Sequence, residues 1–318
     1  MGKNASLKFL FQVNQLPSRP APNRPRFLFN NPEYLSLHPG LQHDQFHIIS
    51  QADGKVQGTI TFRRIGDSAV SLARATFGSL EITGEPDYFV LQDFFRYLVQ
   101  YYKSAGVKSI VIHHYSPLYD PVHEPVVTAA LVYAGFKVET FDLNHHFPVT
   151  GDAFEVRVNK MEGRQLKKCM AKGLEFGECR KEDLTATFDQ MIIYRQEKNI
   201  PVTFSTGDLV QAVQHLPGIY SLYRVTGRNG ELLAAVVMVK ITDRIWYYFS
   251  PVNKPEKDGL SPMVLLLNEI YSLARNAGME YIDLGVSSSG NIPQQGLIRF
   301  KQNLGGIPTG RLTFRIDL

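Results

Sequence analysis

Asp53-Gly-Lys-Val-Gln-Gly-Thr-Ile-Thr-Phe-Arg-Arg-Ile-Gly-Asp67 and Asn229-Gly-Glu-Leu-Leu-Ala-Ala-Val-Val-Met-Val-Lys-Ile-Thr-Asp243 are one device used twice. Each opens on Asp-Gly or Asn-Gly, the pair most tolerant of positive φ and so the favoured hairpin turn. Each continues as a β-branched or apolar run of strand length and closes on a polar turn. The two copies lie 176 residues apart at both ends, 53 to 229 and 65 to 241.

The elements that follow repeat in the same order. Residues 90–102 carry apolar side chains at helical spacing and end at Ala105-Gly106, and 107–112 read as a strand. Residues 263–274 do the same, end at Ala277-Gly278, and lead into a strand over 279–284. A glycine after the last helical turn supplies the left-handed cap in both copies. A second helix and strand complete each set: 124–134 then 137–141, and 296–304 then 310–317. Hairpin, helix, strand, helix, strand, twice in one order, predicts two related domains of mixed sheet flanked by helices, α/β (α+β) in class. The boundary is placed near 155, giving domains 1–155 and 156–318. Between the copies, 164–172 reads as a basic helix closed by Gly173, and 184–197 as an amphipathic helix that opens the second domain. The proline-rich stretch 17–32 reads as an extended lead-in.

Composition narrows the function. The chain has 318 residues, 44% hydrophobic and 11% aromatic, enough for buried cores and incompatible with disorder. Its net charge of +4 suits an anionic ligand but is far from that of a dedicated nucleic-acid binder, so no DNA partner is expected. Two cysteines exclude a disulfide scaffold and fit a reducing compartment, so a cytoplasmic location is expected. The longest apolar run, Leu232–Val239, is too short to span a membrane. No metal site is expected. Val127 occupies the second ligand position of the His123-Glu124 start, and the pairs His113-His114 and His145-His146 point to opposite faces of their strands.

Ala130-Leu-Val-Tyr-Ala-Gly135-Phe136 resembles the helix of GNAT acyltransferases that ends in Gly-Phe. Tyr281-Ile-Asp-Leu-Gly285, followed by Gly296-Leu-Ile-Arg-Phe-Lys-Gln-Asn-Leu-Gly305-Gly306, resembles the C-terminal signature of the Fem-type transferases. Those proteins are tandem GNAT folds that move aminoacyl groups from tRNA to peptidoglycan precursors. The resemblance implies two tandem GNAT-like domains and transfer of an activated acyl group onto an acceptor amine, in cell-wall chemistry. It also implies no tightly bound cofactor, with the acyl donor either aminoacyl-tRNA or acyl-CoA. The alternatives are a CoA-dependent N-acetyltransferase and a non-catalytic tandem GNAT binding module.

In GNAT domains a tyrosine four residues before the glycine of Gly-Phe protonates the leaving thiolate. The corresponding position is Leu131 in copy one, which has no proton to give, and Lys301 in copy two. The resemblance therefore makes the second domain catalytic and the first a scaffold or acceptor-binding domain. Lys301 is expected to stabilise developing negative charge, and Asp283 to orient the amine or act as base. Tyr248, Ser250, Ser287 and Arg299 are expected to bind substrate. Lys257, Gly259 and Ser261, before the helix opened by Pro262, are expected to meet donor phosphates, with Arg164 and Lys168 of the basic helix. Glu256 and Asp258 beside Gly259, and Glu81 to Pro86 in copy one, suit phosphate poorly, so weak CoA binding is expected.

Overall fold

The computed structural model describes residues 8–15, 27–37, 42–72, 75–255, 259–289 and 291–318. In chain order the elements are β1 (Phe9–Val13), α1 (Pro32–Leu35), β2 (His43–Ser50), β3 (Val56–Ile65), β4 (Ser68–Ser71), β5 (Glu81–Ile82), α2 (Tyr88–Ser104), β6 (Ser109–His113), α3 (Glu124–Tyr133) and β7 (Lys137–Pro148). Then come α4 (Phe154–Arg157), α5 (Lys160–Ala171), β8 (Glu175–Glu178), α6 (Leu184–Glu197), α7 (Thr206–His215), β9 (Tyr220–Thr226), β10 (Leu232–Lys240) and β11 (Ile245–Asn253). The chain ends with α8 (Pro262–Asn276), β12 (Tyr281–Val286), β13 (Ser288–Ser289), β14 (Ile292–Pro293), α9 (Gln295–Asn303) and β15 (Ile307–Asp317). No described helix is long and apolar enough to cross a membrane.

The chain forms two compact units, residues 1–142 with 309–318 and residues 143–308. This differs from the division at 155, because the last strand of each copy pairs outside its own copy. In the first unit the strand order is β1-β2-β3-β4-β6-β15-β7. Here β15 pairs antiparallel with β6, Phe314 opposite Ile112 and Thr313 opposite His113. In the second unit the order is β7-β12-β11-β10-β9-β8, and residues 144–148 of β7 pair antiparallel with β12. Both sheets are mixed. Among the described pairings each holds a parallel pair, β4 with β6 and β11 with β12.

Each hairpin predicted from Asp-Gly or Asn-Gly is present, but as a five-residue connection rather than a two-residue turn: 51–55 between β2 and β3, and 227–231 between β9 and β10. Gly54 and Gly230 take φ of +72° and +79°, the left-handed conformation these turns need.

Each unit has its own core. In the first, α2 lays Val90, Phe94 and Leu98 on Phe46 and Ile60, and Phe314 of the exchanged strand joins them. In the second, α8 presents Val264, Leu266 and Ile270 to Val236, Met238 and Ile282. Both helices carry apolar residues at i, i+3, i+4 spacing and stop at a left-handed glycine, Gly106 or Gly278.

Candidate functional site

The parallel pairing of β11 with β12 in the second unit runs over three residue pairs and ends at Tyr247 opposite Asp283. Both strands then bend. In β11, Val237 faces Phe249 and Ala235 faces Val252, so Ser250 and Pro251 together oppose Val236. That is a β-bulge. Ser250 sits at φ +52°, and Pro251 has no N–H to lose from the ladder. In β12, Gly285 takes φ +72°. A Cβ there would stand 3.0 Å from the Tyr247 hydroxyl, so glycine is needed both for the turn and for the close approach.

The bend in β12 is held by Asp283 and in turn holds Lys301. Asp283 is 2% exposed, and its Oδ1 accepts hydrogen bonds from Asn144 Nδ2 and from the Gly285 N–H, each at 2.8 Å. The turned backbone offers two carbonyls to Lys301, whose Nζ donates to Gly285 O at 2.7 Å and to Val286 O at 3.0 Å. Lys301 is the one buried residue of α9. Two glycines fit the helix end beside it. A Cβ on Gly306 would lie 2.7 Å from Lys301 O, and one on Gly305, at φ +80°, would lie 2.8 Å from Arg157 O. The site is therefore a buried ammonium held by neutral carbonyls beside a parted pair of strands. A preorganised charge away from water is the kind of group that can stabilise a developing oxyanion.

Two histidines line β7 next to it. His146 is the antiparallel partner of Asp283, so His146, Asp283 and Tyr247 form a row across three strands. Burial pushes the His146 pKa down, and the Asp283 carboxylate pulls it partly back. His145 is buried, with Nδ1 3.1 Å from Ser287 Oγ. Burial, then the Lys301 ammonium, then His146 lower its pKa to about 4. Along β11, Tyr247 stacks on Phe249, which meets Phe204 edge-on, and Phe204 stacks on Tyr220.

The expected site residues are thus only partly brought together. Lys301, Asp283 and Ser287 lie together, and Ser250 lies at the bulge. Tyr248 does not join them. It points into the core with Met238 and Val264, its hydroxyl buried without a partner, and Tyr247 occupies the face it was expected to take. Arg299 is exposed on α9, unlike the buried Lys301 two residues on. At the N-terminus of α8, Gly259 takes φ +68° and the Ser261 side chain makes no capping bond, which leaves the first amides of the helix to other acceptors. The Ser261 N–H instead bonds the Cys169 thiol of α5. Arg164 and Lys168 are exposed on that helix. Lys257, with Glu256 and Asp258, lies outside the described residues.

Asn144, His146 and Gly285 were not expected at the site. The signal for the first two was a polar Asn-His-His run inside a strand, directly before the buried Phe147.

The same place in the first unit lacks the chemistry. Its parallel pairing ends at Val70 opposite Val111, where the second unit has Tyr247 and Asp283. Leu131 is fully buried. Beyond the pairing, the His113 N–H donates to Ser71 Oγ and the Gly78 N–H donates to His113 O, both at 2.9 Å. The window 81–86 begins as strand β5, with Glu81 buried.

A pair of parallel strands that part past a bulge, with the main helix following, is the frame of the GNAT fold. Residues 161–301 match the acetyltransferase (GNAT) domain family. The chain as a whole shares the tandem fold of several solved structures. The structure of FemX superposes with a TM-score of 0.68 at 13% identity, over 95% of this chain and 94% of that one. The C-terminal domain of a putative lysylphosphatidylglycerol synthetase from Agrobacterium fabrum gives 0.57 at 14% identity, over 85% and 84%. A tandem GNAT protein from the clavulanic acid biosynthesis pathway gives 0.56 at 13%, over 88% and 84%. No curated protein sequence matches the chain.

Proposed function

We propose that the second unit moves an activated acyl or aminoacyl group onto an acceptor amine, with Lys301 as the electrostatic catalyst. The observation that carries this reading is the buried Lys301 ammonium, held by Gly285 O and Val286 O beside the parted strands. The amine attacks the acyl carbonyl, the new C–N bond forms, and the carbonyl π pair moves to oxygen. Lys301 offsets that oxyanion or the departing oxygen, and collapse breaks the bond to the donor. Asp283 keeps the strand bent so that the two carbonyls stay on Lys301. Its Oδ1 accepts two hydrogen bonds, so it is read as a positioning residue rather than the base. Ser250 and Ser287 are read as substrate-facing. The first unit, lacking counterparts of Asp283 and Lys301, is read as the acceptor-binding or scaffold domain.

The donor is read as aminoacyl-tRNA and the acceptor as the amine of a cell-wall precursor, in the cytoplasm, on the resemblance of residues 281–285 and 296–306 to the Fem-type signature. Lys168 and Arg164 on α5, beside the N-terminus of α8, are read as contacts for donor phosphates. A second reading, a CoA-dependent N-acetyltransferase, is favoured by one observation: the α8 N-terminus has its glycine at φ +68° and no capping side chain. Thermal unfolding with CoA, UDP-linked peptide precursors and aminoacyl-tRNA, followed by transfer assays with whatever stabilises the chain, separates the two. Stabilisation by none of these ligands, and transfer from neither donor, overturns the transferase reading.

A further inference from the structure

An amine nitrogen that bonds to an acyl carbon must give up a proton, and the residues assigned so far do not take one. Lys301 is a cation held by carbonyls, and Asp283 Oδ1 is engaged by Asn144 and the Gly285 N–H. His145 is fully buried, bonded to Ser287, and repelled by Lys301 when it gains charge. Tyr248 lies in the core.

His146 remains. It is the register partner of Asp283, in one row with Asp283 and Tyr247 where the paired part of β11 and β12 ends. Its Nδ1 is buried without a hydrogen-bond partner, an arrangement that costs stability when nothing is bound. Its ring meets Tyr281 edge-on, which fixes the plane. The titratable groups placed against it are Asp283 and Tyr281 on β12 and His145 beside it on β7.

We infer that His146 is the general base of the transfer, a catalytic residue that takes the proton of the acceptor amine, with Asp283 as the counter-charge for the imidazolium so formed. The inference rests on the transferase reading above and deepens it. As the amine nitrogen bonds to the acyl carbon, one N–H proton passes to the unprotonated ring nitrogen of His146. When the tetrahedral intermediate collapses, the donor's oxygen or sulfur leaves with the bonding pair and takes that proton back. No further reactant is needed. Burial keeps His146 neutral near pH 7, so it is ready to accept. Asp283 adjacent makes the cation tolerable, and Lys301, held two and three residues further along β12 by the Gly285 and Val286 carbonyls, stays with the oxyanion.

The test has two arms on the full chain. In the first, His146→Asn and wild type are compared in transfer from labelled aminoacyl-tRNA and from acetyl-CoA, with ethylamine or hydroxylamine as acceptor. Hydroxylamine is already largely unprotonated at pH 7 and needs little base help. The variant should lose 10²–10⁴-fold with ethylamine, lose the acidic limb of the pH–rate profile, and keep hydroxylamine transfer within a few fold. Equal losses with both acceptors, or an unchanged acidic limb, overturn the inference. In the second arm, imidazole NMR follows His146 in wild type and in Asp283→Asn. The ring should titrate in the folded protein, with a lower midpoint in the variant. A ring that stays neutral down to acid unfolding, or a midpoint indifferent to Asp283, overturns the inference whatever the substrate is. Wild type transferring from neither donor would count against the transferase reading, and the NMR arm would still decide the role of His146.

Discussion

Replacing Lys301 with methionine removes the ammonium and keeps much of the aliphatic stem. Two effects on stability oppose each other. The two bonds to Gly285 O and Val286 O, at 2.7 and 3.0 Å, are lost, and carbonyls left without a donor cost about 1–3 kcal/mol each. Against this, the ammonium no longer has to be kept out of water, which offsets part of the loss. The net expectation is a destabilisation of about 2 kcal/mol, tolerable for a chain whose folding free energy is on the order of 10 kcal/mol. The effect on transfer is expected to be larger, because a preorganised charge acts on the transition state and not on the free enzyme. Its removal should lower turnover about 10²–10³-fold, or about 3–4 kcal/mol of barrier. Urea unfolding and steady-state transfer on the same preparation separate the two. A folded Lys301→Met variant that turns over within threefold of wild type refutes the catalytic role. A variant that loses activity only in proportion to its unfolded fraction makes Lys301 a structural residue.

Four further outcomes are expected. Gly305→Ala should cost well over the ~1–2 kcal/mol of a left-handed alanine, because its Cβ meets Arg157 O at 2.8 Å, whereas Gly259→Ala, with no atom within 4 Å, should cost only that; equal losses in thermal unfolding would break the argument. His145 and His47 are held neutral by burial with pKa values of about 4 against an ordinary 6.5. The unfolded chain therefore binds more protons between those values, so stability should fall as pH drops from 6.5 to 4, by about 3 kcal/mol per histidine; urea midpoints across that range check it, and His145→Asn should flatten the slope. CoA at 100 times a micromolar Kd would stabilise a true binder by about 2.7 kcal/mol; little or no thermal shift is expected at submillimolar CoA, and a clear one moves the donor from aminoacyl-tRNA to CoA. Leu131→Lys should destabilise the first unit by about 3–5 kcal/mol in urea, since it buries a cation with no acceptors waiting; a loss under about 1 kcal/mol would mean the site frame is present there after all.

Much of the fold was legible because the repeat is local. Turn dipeptides, helical spacing and Ala-Gly stops each lie within a dozen residues, and α6 spans 184–197 as the pattern predicts. The strand exchange was not legible. A strand's sequence sets its face but not its neighbour, and β7 and β15 find their partners far along the chain. At the site, counting back from Gly305 reached Lys301, because a helix fixes spacing. It could not reach Asn144, 139 residues from the Asp283 it bonds. Between Tyr247 and Tyr248 the sequence offers no distinction. The register decides, and it sets Tyr247 opposite Asp283 and Tyr248 opposite Met238 in the core.

The site residues hang together as a set, which accounts for only one unit having them. Lys301 can be buried only because two carbonyls turn toward it, and they turn because Gly285 accepts φ +72° and Asp283 takes up its N–H. Asp283 can be buried because Asn144 and that N–H satisfy it. Any member alone would be a buried polar group without its partners, a net cost. The first unit holds the complementary set: Val111 where Asp283 stands, His113 continuing the strand where Gly285 bends it, and Leu131 in the place of Lys301. Each of those also fits only with the others, since an unbent strand presents no carbonyls to a cation and an apolar helix face needs none. Passing from one set to the other means passing through a partly satisfied one, so the two copies are stable as opposites: one closed on its own backbone, the other holding a charge beside the place where its strands part.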